Sequence, residues 1–254
     1  MKVTVLGCGS SGGVPTIGNN WGLCDPLNPR NRRTRVSILV EEADTSLLVD
    51  TSPDMRQQLL ACNLQNLTAV LYTHAHGDHS HGIDDLRAVN WLIKKPIDVY
   101  ADATTLDELR VRFSYIFEPS EPDKFYRPSV NTHPIEGPFQ IGPIKIVPFK
   151  QNHGPSHTLG FRFNDFAYST DVKSLDDIAF ATLSGIKGWI VDCVREQPPH
   201  PTHSHLEQTL GWISRVKPEH AWLTHMNESM DYAKLAAKLP QSVEPAYDGL
   251  VIEL

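Results

Sequence analysis

The chain has 254 residues, 40% of them apolar and 21% charged, with a formal charge of −7. That composition excludes collagen-like, mucin-like and disordered chains and supports a sizeable core. The acidic balance argues against a surface that coats nucleic acid, and no apolar run approaches the roughly 18 residues that cross a bilayer.

Met1 to Cys8 carries too short an apolar stretch for a signal segment and reads as a strand. Cys8, Cys24, Cys62 and Cys193 form neither a CxxC pair nor a disulfide framework, which fits a reducing cytoplasm. No repeat, low-complexity tract or long linker divides the chain, so residues 1–254 read as one domain.

In chain order, the strand Val3 to Leu6 runs into a glycine-rich loop, Gly7 to Gly13. A basic stretch ends at Arg35. Val36 to Val40 and Leu47 to Asp50 read as strands, and Met55 to Cys62 as a short helix entered through Pro53. Thr68 to Thr73 is an apolar strand. Ile83 to Lys95 reads as one helix, with Asp84 and Asp85 in its first turn and Pro96 at its stop. Ile97 to Ala101 is a strand, and Leu106, Leu109, Phe113 and Ile116 share a helix face. Glu118 to Pro128, with its prolines, reads as a loop or lid.

Val130 to Phe149 carries short strands. Thr158 to Phe163 and Phe166 to Thr170 form a hairpin. There follow a helix (Leu175 to Leu183), a strand (Trp189 to Cys193), a helix (Leu206 to Val216) and a strand (Ala221 to Thr224). A helix (Tyr232 to Leu239) and a strand (Leu250 to Leu254) close the chain. Strands in each half separated by helices indicate an α/β (α+β) unit with sheet packed on sheet and helices outside.

The chemistry concentrates at His74-Ala75-His76-Gly77-Asp78-His79, directly after an apolar strand. Imidazole and carboxylate together suit zinc, manganese or iron, and the pattern offers enough ligands for two metals. Three further candidates follow strands: His153, Asp171 and His225. Donors hung on strand ends build a rigid site at one sheet edge.

His-x-His-x-Asp-His followed by His, Asp and His resembles the metallo-β-lactamase superfamily. The opening Leu6-Gly7-Cys8-Gly9-Ser10-Ser11-Gly12-Gly13-Val14-Pro15 further resembles its PhnP branch, the phosphoribosyl cyclic phosphodiesterases. The resemblance implies a single-domain, four-layer αββα sandwich. It implies two divalent transition-metal ions, zinc or manganese. One would take His74, His76 and His153, the other Asp78, His79 and His225, with Asp171 bridging both and a water or hydroxide on the open side. Asp78 would also orient the nucleophile, and Asp50 would brace the histidine loop. PhnP-like enzymes can carry an extra zinc on clustered cysteines; Cys24 alone does not supply that site.

A leaving alkoxide needs a proton. Ser204-x-x-Glu207 reads as a capping box opening a helix, and His203 lies just before it. In the PhnP branch a histidine in that place is the proposed general acid; His200 and His205 compete. For substrate, Ser10, Ser11, Arg33, Arg35 and His157 are the candidate contacts. The expected activity is hydrolysis of a small cyclic or ribose-containing phosphodiester. The alternatives are a tRNA 3′-processing endonuclease, a thioester or lactone hydrolase, and a non-enzymatic metal-binding sensor. Partners would be a small phosphorylated substrate and, in a homodimer, a second copy, with neither membrane nor nucleic acid.

Overall fold

The computed structural model describes residues 1–118 and 128–254. The expected lid, Glu118 to Pro128, therefore lies almost wholly outside the described residues.

Two seven-stranded sheets form the centre. The first contains β1 (Lys2–Gly7), β2 (Ser37–Glu42), β3 (Thr45–Val49), β4 (Ala69–Leu71), β5 (Ile97–Ala101), β6 (Val130–Pro134) and β14 (Val251–Glu253), in the order β14-β1-β2-β3-β4-β5-β6. The second contains β7 (Phe139–Ile141), β8 (Ile144–His153), β9 (Ser156–Phe163), β10 (Phe166–Ser169), β11 (Gly188–Asp192), β12 (His220–Thr224) and β13 (Val243–Pro245), in the order β13-β12-β11-β10-β9-β8-β7. The helices are α1 (Met55–Ala61), α2 (Gly77–Ser80), α3 (Leu86–Ile93), α4 (Ala103–Arg112), α5 (Ser114–Phe117), α6 (Asp177–Thr182), α7 (Leu206–Val216) and α8 (Tyr232–Ala236).

Strand alternation builds the layers. Val3, Val5, Ile38, Val40, Leu47, Val49, Ala69 and Leu71 point from the first sheet into a core shared with Ile146, Phe161, Phe163 and Tyr168 of the second. Their neighbours Leu6, Leu39, Leu48, Val70 and Val99 point the other way, against Met55 and Leu59 of α1, Leu86 and Val89 of α3, and Leu106 and Leu109 of α4. Strands covered on both faces are apolar throughout, as these are. On the far side, Ala179 of α6 and Ile213 of α7 join the core of the second sheet. This is the expected αββα sandwich.

Local chemistry sets the helix ends. Asp102, Asp176 and Asp231 cap α4, α6 and α8 by accepting from the backbone N–H three residues on. The expected helix Ile83 to Lys95 is divided: Ile83–Asp85 is a 3-10 turn and α3 starts at Leu86. It stops at Lys94, which adopts a left-handed φ of 56° ahead of Pro96. The short strand β13 was not foreseen; it is an edge strand ending in Pro245, a place in a sheet that tolerates proline's missing donor.

Strand direction places the site. β3, β4 and β5 are mutually parallel, and so are β10, β11 and β12. β8 runs with β10, because β9 is antiparallel to both. The carboxyl ends of these strands share one edge of the sandwich, where crevices form in open α/β sheets.

Candidate metal centre

Each donor sits at or just past a strand end. Asp50 follows β3, His74 lies three residues beyond β4, and His153 is the last residue of β8. Asp171 follows β10 by two residues, Asp192 ends β11, and His225 follows β12. Asp78 and His79 ride on the single turn α2, so the second half of the histidine motif is helical rather than a plain loop. Asp50, Asp171 and His225 all take left-handed φ values, 63°, 54° and 58°. That conformation is uncommon for non-glycine residues and collects at functional sites.

Seven of the side chains gathered here form two clusters around one shared carboxylate. The first is His74, His76, His153 and Asp171; the second is Asp78, His79, Asp171 and His225. Within each, one donor atom per residue lies within 4.8 Å of the others. Asp171 divides its oxygens between them. Oδ2 lies 3.7 Å from Nε2 of both His74 and His153. Oδ1 lies 3.1 Å from His79 Nε2 and 3.3 Å from His225 Nε2. Asp78 Oδ2 closes the second cluster, 3.5 Å from His79 Nε2 and 3.6 Å from His225 Nε2.

The rear ring nitrogens are held by the protein, which turns the front ones inward. His79 Nδ1 meets Asp50 Oδ2 at 2.7 Å, and His74 Nδ1 meets Thr73 Oγ1 at 3.0 Å. His153 Nδ1 meets the Thr202 carbonyl at 2.9 Å. Asp50 also accepts from the Thr73 N–H and hydroxyl, both at 2.8 Å, so it ties the motif to β3 as expected. Ser80 and Arg112 donate to the Ala75 carbonyl from behind.

The residues fit divalent ions. His79 Nε2 and His225 Nε2 are buried and make no hydrogen bond among the described residues, although both face carboxylates. Burial disfavours charge on His79, yet Asp171, Asp78 and Asp50 together hold its pKa well above the ordinary value. The cluster thus demands positive charge at the point where the orphaned nitrogens meet. Nitrogen and carboxylate oxygen donors of this kind bind zinc or manganese.

A cavity of about 330 Å³ opens over the clusters, lined by Ser11, His76, Asp78, His153, Pro155, Ser156, Asp171, Thr202, His203 and His225. His203 stands on its wall, with Nε2 3.7 Å from Asp171 Oδ2 and Nδ1 3.4 Å from Asp192 Oδ1. Burial disfavours its charge, but the Asp192 carboxylate and then Asp171 prevail and push its pKa up to about 9.

The Beta-lactamase superfamily domain matches residues 45–226. A solved diphosphatase of the PhnP family is 32% identical, with a TM-score of 0.91, over 99% of this chain and 96% of that one. The chain belongs to the β-lactamase superfamily. Within it, the chain is PhnP-like, and its donor clusters are candidates to hold metal ions.

Among curated relatives of this superfamily member, an octanoyltransferase of Porphyromonas gingivalis is 31% identical over 98% of the chain. The chain spans about half the length of that protein, 51%. The anti-Pycsar protein Apyc1 of Paenibacillus harenae is 27% identical over 82% of the chain and 90% of its own length. No helix among the described residues is long and apolar enough to cross a membrane.

Several residues expected at the substrate lie elsewhere. Arg33 is buried, and its guanidinium donates to the Met230 carbonyl at 2.6 Å and to Asn31 Oδ1 and the Asn227 carbonyl. It clamps the segment after His225. Arg35 Nε pairs with Asp54 at 3.0 Å. His157 pairs with Asp102 at 3.2 Å and is absent from the cavity wall. Ser10 is buried and its N–H bonds the Met226 carbonyl; only Ser11 of the two serines reaches the cavity.

The expected capping box is also corrected. The N-cap of α7 is His205, without a side-chain cap bond. Ser204 is buried instead, donating to the Asp192 carbonyl at 2.6 Å while its N–H bonds Asp192 Oδ2 at 2.9 Å. Asp192 was missed by sequence reasoning. Its signal was the one that marked Asp171, an acid at the end of an apolar strand.

Proposed function

We propose that this chain hydrolyses a small phosphodiester, cyclic or ribose-containing, with two zinc or manganese ions. One ion would be held by His74, His76, His153 and Asp171, the other by Asp78, His79, His225 and Asp171. The observation that carries the reading is the division of Asp171, one oxygen toward each histidine group. When bound, the ions supply Lewis acidity: they lower the pKa of an attacking water and neutralise charge on phosphoryl oxygens.

The chain's own groups do the rest. Asp78, at the cavity wall, accepts a hydrogen bond from the attacking water and fixes its direction. His203 donates a proton to the leaving oxygen, and the Asp192 carboxylate, facing its Nδ1, stabilises the imidazolium that carries this proton on Nε2. His200 and His205 are absent from the cavity wall, which favours His203 for this role. The small cavity, with no lysine or arginine among its lining residues, favours a small substrate over an RNA backbone. Four unpaired cysteines support a cytoplasmic setting.

The test is a substrate panel: a cyclic ribose phosphate, an aryl phosphodiester, a tRNA precursor and a thioester. Phosphodiester turnover is expected. His203→Ala should lose about 10²-fold in kcat with an alkoxide leaving group and far less with the activated aryl group. Preferred turnover of the thioester or the precursor RNA contradicts the reading, and equal losses for both leaving groups remove His203 from the acid role.

A further inference from the structure

The glycine-rich loop has a bonding pattern that singles out two of its amides. From Cys8 to Val14, nearly every N–H is spoken for. Cys8 N–H bonds Asp248 Oδ1 at 3.1 Å, Gly9 N–H the Thr34 carbonyl at 2.8 Å, and Ser10 N–H the Met226 carbonyl at 3.1 Å. Gly13 N–H closes a turn onto the Ser10 carbonyl at 2.8 Å, and Val14 N–H bonds Arg33 at 2.8 Å. Ser11 and Gly12, the two central residues of that turn, donate to nothing among the described residues, and both are exposed.

The turn is also rigidly placed. Gly9 and Met226 pair as an isolated bridge, and the Met226 N–H returns a bond to the Cys8 carbonyl at 2.9 Å. The loop is therefore fixed to the residue next to His225. A Cβ at Gly9 would come within 2.9 Å of the Thr34 carbonyl, so the close approach requires glycine there. Ser11 itself lines the cavity beside Asp78, His203 and His225.

A phosphodiester brings oxygens that the ions do not all engage. The usual cationic partners are missing: Arg33 and Arg35 are committed elsewhere, and no lysine or arginine lines the cavity among the described residues. Successive N–H groups in a tight turn make an anion-binding concavity. We propose that the Ser10–Gly13 turn is a phosphoryl anchor, in which the Ser11 N–H, the Gly12 N–H and the Ser11 hydroxyl hold a non-bridging oxygen of the substrate. This deepens the phosphodiesterase reading above and rests on it for the reaction.

The test follows backbone amide and histidine ring resonances of the zinc-loaded protein as inorganic phosphate is added. The Ser11 and Gly12 amide protons are expected to move downfield together, with one saturation curve. Ser11→Pro removes an amide and the hydroxyl at a turn position that accepts proline. It should weaken phosphate about tenfold, whereas Ser11→Ala, which keeps the amide, should weaken it about threefold. Histidine resonances that respond while the Ser11 and Gly12 amides stay still overturn the anchor and leave the phosphodiesterase reading standing. No response at either place contradicts both. Because the wild-type amides are read directly, the result does not depend on how Ser11→Pro folds.

Discussion

The two sheets supply the metal centre in different ways. The first gives four donors in six consecutive residues, from His74 to His79, on one connection after β4. The second gives His153, Asp171 and His225 one at a time, from the ends of three strands separated by up to 72 residues. A local cluster depends on one turn keeping its shape. A dispersed one depends on the register of β8, β10 and β12, which the apolar core between the sheets fixes. The centre exists only where the two meet, and Asp171 is the residue that faces both.

The largest effect should therefore come from the dispersed side. Asp171→Ala removes the carboxylate common to both clusters. Metal content by mass spectrometry and phosphodiesterase activity should fall together, activity by roughly 10³-fold or more. A variant that retains both ions would show that the local motif suffices, and the comparison would break.

The braces allow a finer contrast. Asp50 serves the local motif through a 2.7 Å contact with His79 Nδ1 and two bonds from Thr73. Asp192 serves the dispersed side more loosely, 3.8 Å from His225 Nδ1 and 3.4 Å from His203 Nδ1. Asp50→Asn places an amide against two donors to one oxygen, so metal affinity should drop about 10- to 100-fold. Asp192→Asn should cost under about tenfold in metal affinity, with its larger effect on kcat through His203. Competition with a chelating dye measures both. Equal metal losses would show that the dispersed side is braced as tightly as the local one.

The same contrast explains what the sequence could show. His74 to His79 was legible because its donors are neighbours in the chain; the sheet-on-sheet core with helices outside was legible from the order of strands and helices, and its four-layer αββα form from the resemblance. His153, Asp171 and His225 were found by their place after strands and by resemblance. The left-handed φ values of Asp50, Asp171 and His225 carry little sequence signal, because aspartate and histidine adopt that conformation more often than most residues but still uncommonly.

Arg33 misled because a basic cluster reads as an anion site until its partners are known. Those partners, the Met230 and Asn227 carbonyls, lie some 200 positions away in the chain. Ser204 misled because a serine three residues before a glutamate satisfies the capping pattern. A buried acid on a neighbouring strand, Asp192, outcompetes the helix for that hydroxyl.

The account stands on two ions sharing Asp171, and metal stoichiometry tests it most directly. Protein saturated with zinc and freed of excess should hold two ions per chain, and His225→Ala, which empties only the second cluster, should hold one. A wild-type chain that saturates at a single ion, or a His225→Ala chain that still holds two, would contradict it.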